Sequence, residues 1–99
     1  MIRHVVAWTM AGDSPEARRA NACRVRDALQ ALPALVPQVR RLEVGLDLGE
    51  SATNADVVLS VDVDSRADLE AYRAHPEHRK VADLIGSLAV DRLCVDHEL

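Results

Sequence analysis

The chain has 99 residues, with 12 basic side chains against 16 acidic ones and a formal net charge of −4, so it lacks the clustered Lys/Arg surface that a nucleic-acid partner requires. Phe is absent, and Trp8 and Tyr72 are the only aromatics, which leaves Ala, Val and Leu to fill the core and no interleaved rings for base stacking. A chain this short buries only about 60–65% of its unfolded surface on folding, so further burial against a second copy is expected.

No apolar run approaches the 18 or so residues of a membrane span, and no basic segment followed by an apolar one opens the chain. The pattern predicts a soluble, cytoplasmic protein in which Cys23 and Cys94 are reduced and mostly buried. Residues 1–99 read as one domain, without repeats, linkers or low-complexity stretches.

Residues 2–10 alternate, with Ile2, His4, Val6, Trp8 and Met10 on one face and Arg3, Val5, Ala7 and Thr9 on the other, which predicts a strand covered on both sides. Ser14-Pro15-Glu16 then starts a helix. Its apolar positions are Ala22, Val25, Ala28, Leu29, Leu32 and Val36, and Pro33 and Pro37 end it. Residues 38–48 predict an edge strand with a bulge or twist at Gly45. Residues 56–64 carry the clearest strand signal, Val57, Leu59, Val61 and Val63 against Val58, Ser60 and Asp62. Asp56, Asp62 and Asp64 read as solvated strand ends.

Ser65-Arg66-Ala67-Asp68 resembles a capping box opening a second helix, which breaks at His75-Pro76. A third helical run follows, and residues 90–97 alternate as a closing strand. The order predicts a ferredoxin-like βαββαβ protomer of class α+β: a four-stranded antiparallel sheet with its helices on one face. The opposite sheet face, with Val5, Ala7, Val58 and Cys94 assigned to it, is too apolar for water. A homodimer through that face is expected.

Ile-Arg-His-Val-Val near the start, Leu-Glu-Val-Gly at 42–45, Asp-Leu-Glu-Ala-Tyr-Arg-Ala-His-Pro-Glu-His at 68–78 and Asp-Arg-Leu-Cys-Val-Asp at 91–96 together resemble the stress-responsive dimeric α+β-barrel (Dabb) family, over essentially the whole chain. The resemblance implies a two-sheet barrel dimer. It also implies a pocket between helices and sheet, for a small apolar or polyketide-like ligand, near His4, Val6, Trp8, Leu59, Val61, Tyr72, His75 and His78. A plant polyketide cyclase in the family works without metal or cofactor. Its motif maps onto His78 as base, Tyr72 as oxyanion or proton partner and His4 as orienting group. The first helix departs from it, carrying Ala22, Cys23, Val25 and Arg26 where the cyclase has bulkier groups.

Two functions remain open: a small-molecule-binding or stress-associated protein without catalysis, and a cofactor-independent cyclase or isomerase. In a purely structural reading His75 caps carbonyls and His78 is hydrogen-bonded in a packed core. Metal binding by His75, His78 and His4 is a third possibility. Pro76 interrupts that set, and no carboxylate or thiolate is seen to match it, so no metal and no cofactor is expected.

Overall fold

Alternation sets the strands and 3.6-residue spacing sets the helices of the computed structural model, which describes residues 1–99. In chain order these are β1 (Ile2–Met10), α1 (Pro15–Gln30), a 3₁₀ turn (Leu32–Ala34), β2 (Arg41–Leu46), β3 (Val57–Val63), α2 (Arg66–Ala74), α3 (Pro76–Leu88) and β4 (Ala89–Glu98). The four strands form one sheet in the order β2-β3-β1-β4, every neighbouring pair antiparallel. This is the ferredoxin-like arrangement that the sequence predicts. No helix is long and apolar enough to cross a membrane.

β1 runs through the middle of the sheet because both its faces are covered or apolar. Ile2, His4, Val6, Trp8 and Met10 are buried on the helix side, while Arg3, Val5, Ala7 and Thr9 are half-buried opposite. Val57, Leu59, Val61 and Val63 of β3 join the same core, closed from above by Ala22, Val25 and Leu29 of α1, Leu69 and Tyr72 of α2 and Ile85 of α3. The Ser14 hydroxyl accepts from the Ala17 N–H at 3.0 Å. The Ser65 hydroxyl accepts from Asp68 N–H at 3.1 Å. Each satisfies one orphan donor at a helix start.

Four local expectations are corrected. The α1 face ends at Gln30, and Leu32 and Val36 reach full burial from the following turns, because Pro33 fits a 3₁₀ start and not a continuing helix. β2 is shorter than expected, and Gly45 pairs with Val58 in unbroken register; the irregularity lies between Thr9 and Met10 of β1 instead. A Cβ at position 45 would stand 3.2 Å from Val58 Cγ1, so the glycine permits close packing rather than a bulge. Asp62 is no solvated strand end: it is buried and takes two hydrogen bonds from Arg3, at 2.8 and 2.9 Å.

The fourth correction concerns β4. Antiparallel pairing sets Val6 opposite Cys94 and His4 opposite Asp96, so Cys94 belongs to the helix side. Leu93 and Val95 occupy the open face in its place, 73% and 61% exposed. With Val5, Ala7 and Val58 they form an apolar stripe across three strands.

Candidate functional site

Pro76 creates the site by breaking the helix. Having no N–H, it cannot continue α2, and it sits at the first position of α3, where that lack is harmless. His75, in extended backbone, ends one helix and caps the next: its Nδ1 accepts from the Glu77 N–H at 3.1 Å. His75 therefore caps an amide rather than carbonyls. The Glu77 N–H is the group that would have served the Arg73 carbonyl in an unbroken helix. That carbonyl is left over, and His78 Nδ1 stands 3.1 Å from it. A carbonyl only accepts, so Nδ1 carries the proton and Nε2 is left with its lone pair.

His4 is fixed in the same way by a side chain. Its Nδ1 lies 2.5 Å from Asp96 Oδ1 across the β1–β4 pair, and Arg73 holds the other Asp96 oxygen at 2.6 Å. Cys94 Sγ completes the group, 3.5 Å from His4 Nδ1. The Tyr72 ring stands against both histidines, edge-on to His4 at 6.0 Å between centroids and tilted to His78 at 4.5 Å. Its hydroxyl is buried and has no hydrogen-bond partner.

Burial shifts these groups. It lowers the His4 pKa against the pull of Asp96, and it lowers that of His78 against the Arg73 carbonyl, so both imidazoles are neutral near pH 7. Desolvation pushes the Tyr72 phenol well up, keeping it protonated. Burial by itself would raise the Asp96 carboxyl, but the hydrogen bonds from His4 and Arg73 outweigh it and hold the group below the usual range. Burial and the neighbouring Asp96 push the Cys94 thiol up.

A cavity of about 420 Å³ opens between β1, β4 and α3, within the size range of small-molecule sites. Nine of its fourteen lining residues are apolar, which suits a ligand with a largely hydrocarbon surface. His4, Val6, Trp8, Leu59 and His78 line it, and Val61, Tyr72 and His75 do not. Val61 is packed in the core, Tyr72 stands behind the two histidines, and His75 is committed to the helix junction. Residues that the sequence reading did not assign to the site complete the lining, notably Ala82 and Gly86 of α3 and Asp91 and Arg92 at the start of β4. Asp96 and Arg73 were also missed. The alternation of β4 puts Asp96 and Cys94 on one face, but only the register with β1 says that this face meets His4.

The His75, His78 and His4 set raised as a third possibility does not group: His75 gives its Nδ1 lone pair to the Glu77 N–H, and His4 stands with Cys94 and Asp96. The carboxylate and thiolate thought to be missing stand beside His4 instead. The donor atoms of His4, Cys94 and Asp96 lie within 4.8 Å of one another.

Comparison with known proteins agrees with this architecture. A dimeric ferredoxin-like protein of unknown function from Bacteroides fragilis is 28% identical, with a TM-score of 0.87 over 99% of this chain and 95% of that one. A second dimeric ferredoxin-like protein of unknown function, from Thermobifida fusca, is 31% identical, with a TM-score of 0.84 over 99% and 90% of the two chains. A hydroxynitrile lyase from Passiflora edulis shares the fold at 15% identity, with a TM-score of 0.80 over 97% of this chain and 90% of that one. Among curated proteins none matches. The stress responsive A/B barrel domain matches residues 2–99, and with the fold and the dimeric relatives in agreement, the chain belongs to the Dabb family.

Proposed function

We propose that this chain is a small-molecule-binding protein whose cavity takes a compact, mainly apolar compound with a hydroxyl, enol or comparable donor for an imidazole Nε2. The observation that carries the reading is the apolar cavity ending on two neutral imidazoles. The proposed active form is a homodimer joined through the open sheet face, where the exposed stripe of Val58, Leu93 and Val95 is unsuited to water. A cytoplasmic location is proposed with it, since Cys23 and Cys94 are both free thiols.

A second, catalytic reading is favoured by the His78 tautomer and the unpartnered Tyr72 hydroxyl. His78 Nε2 would remove a proton next to the ligand carbonyl. The neutral Tyr72 phenol, whose ring packs on both imidazoles, would be the proton partner of that step. His4, held by Asp96, would orient the ligand by accepting a hydroxyl or enol proton at Nε2. Aldol-type cyclisation and keto–enol isomerisation both begin with such a step. The hydroxynitrile lyase of the same fold is one protein in which this scaffold hosts an enzyme.

Trp8 is the only tryptophan and lines the cavity, so its fluorescence reports occupancy. A panel of small 1,3-dicarbonyl and aromatic carbonyl compounds is expected to shift or quench that emission, and a panel that leaves it unchanged refutes the binding reading. For catalysis, the protein is expected to speed exchange of the acidic C–H of a bound 1,3-dicarbonyl with deuterium. His78→Gln should bind the compound and lose roughly 10²-fold or more of that rate. Tyr72→Phe should lose rate while melting at the same or a higher temperature, because it removes a buried hydroxyl that has no partner. Equal exchange rates in wild type and His78→Gln remove His78 as the base.

A further inference from the structure

We propose that His4 Nδ1, Cys94 Sγ and Asp96 Oδ1 form a three-ligand site for a borderline transition-metal ion, Zn²⁺ or Co²⁺, beside the cavity, with which it shares only His4. The three donor atoms are separated by 2.5 Å (His4–Asp96), 3.5 Å (His4–Cys94) and 3.7 Å (Cys94–Asp96). A tetrahedral ion with ligand bonds of about 2.0–2.3 Å needs donor spacings of roughly 3.3–3.7 Å. Two of the three spacings already fit. The third is short because a proton now bridges His4 and Asp96, and it must open by less than about 1 Å when an ion replaces that proton.

The donor chemistry agrees with the geometry. One imidazole nitrogen, one sulfur and one carboxylate oxygen suit zinc and cobalt, and they do not suit magnesium or calcium, which want oxygen alone. The frame is stiff, since His4 and Asp96 are paired residues of adjacent strands and Cys94 is two positions along. Arg73 grips Asp96 Oδ2 at 2.6 Å and leaves Oδ1 turned toward His4, the kind of outer contact that orients a ligating carboxylate. Entry is open from the protein surface: the Asp96 side chain is 32% exposed and Cys94 is half-buried, while His4 is enclosed. The fourth position is left to water or to a ligand.

Binding requires the Cys94 thiol proton to leave to solvent and the imidazole proton to move from Nδ1 to Nε2, after which the two anionic ligands balance the dication. Arg73 and Arg92 both act on His4 electrostatically and weaken the attraction for a cation. The site is accordingly exchangeable. It holds an ion whether or not the cavity carries out chemistry.

The test is a titration of chelator-treated protein with cobalt(II) chloride. The wild type should saturate at one ion per chain with a near-ultraviolet sulfur-to-cobalt charge-transfer band and the intense visible bands of tetrahedral cobalt, and zinc chloride should displace both. Cys94→Ser should abolish the charge-transfer band and weaken binding by at least about tenfold, and Asp96→Asn should keep the band and weaken binding similarly. Cys23→Ser should change nothing. A wild type without the charge-transfer band overturns the proposal. So does a band that survives Cys94→Ser, or one that is lost in Cys23→Ser.

Discussion

His78 and His4 each place Nδ1 on a fixed acceptor, and each is held neutral by burial in spite of that acceptor. The consequence for stability has a definite sign. In the unfolded chain both rings titrate near 6.5, while in the folded chain they titrate lower. Between those values the unfolded state binds more protons, so stability rises with pH across the window and is lost as pH falls from about 6.5 toward the lowered values. The lowered carboxyls, Asp62 and Asp96 among them, act only when pH approaches their ordinary range near 4, which leaves pH 5–6.5 to the histidines. Thermal melts of chelator-treated protein should show a plateau above about pH 7 and a falling Tm below 6.5. His78→Gln should flatten part of that fall, and an identical slope in both proteins would contradict the assignment. At this scale the sequence was partly legible. His4, Tyr72 and His78 stand out by residue type and do come together, whereas Asp96 gains its meaning from a pairing with a strand some ninety residues away, which no local pattern encodes.

At the scale of elements, α3 joins good helix chemistry to an unfavourable residue. Gly86 lies in its last turns and lines the cavity, and a Cβ built there meets nothing within 4 Å. Glycine inside a helix costs about 1 kcal/mol relative to alanine, and open space means that no steric demand of the fold explains it. With Ala82 one turn earlier, it leaves the cavity wide on that side. Gly86→Ala is therefore expected to raise Tm by about 4–8 °C, the shift that about 1 kcal/mol gives in a chain of this size. Gly86→Leu should fold equally well and lose the Trp8 response to ligands, since its side chain occupies the cavity. Unimpaired ligand binding in Gly86→Leu would show that α3 does not border the occupied space. The helix junction was readable from His75-Pro76, because proline chemistry is local. The cavity lining was not readable from α3, whose small residues look the same in sequence whether they face solvent or a void.

For the whole molecule, the proposed assembly rests on the open sheet face. A solitary protomer would leave Leu93, Val95 and Val58 in water, beside the half-buried Val5 and Ala7, and the relatives from Bacteroides fragilis and Thermobifida fusca are dimeric. Light scattering at micromolar concentration should give a dimer, and Leu93→Glu should give a monomer, because the dimer would bury a charge without a partner, with a Tm lowered by loss of the interface. A Leu93→Glu dimer as stable as wild type would move the interface elsewhere. That this face is apolar was legible from β1 and β3 by alternation. β4 was misread by one position, which moved Cys94 to the wrong side.

Arg73 meets both histidines by different parts of itself: its carbonyl fixes His78 and its guanidinium, through Asp96, fixes His4. Substitution at position 73 can therefore release only His4, because the carbonyl is common to every amino acid. The two rings are unequal before mutation, one open to evolutionary adjustment and the other tied to the chain's path at the end of α2. Only a movement of that helix end changes both at once.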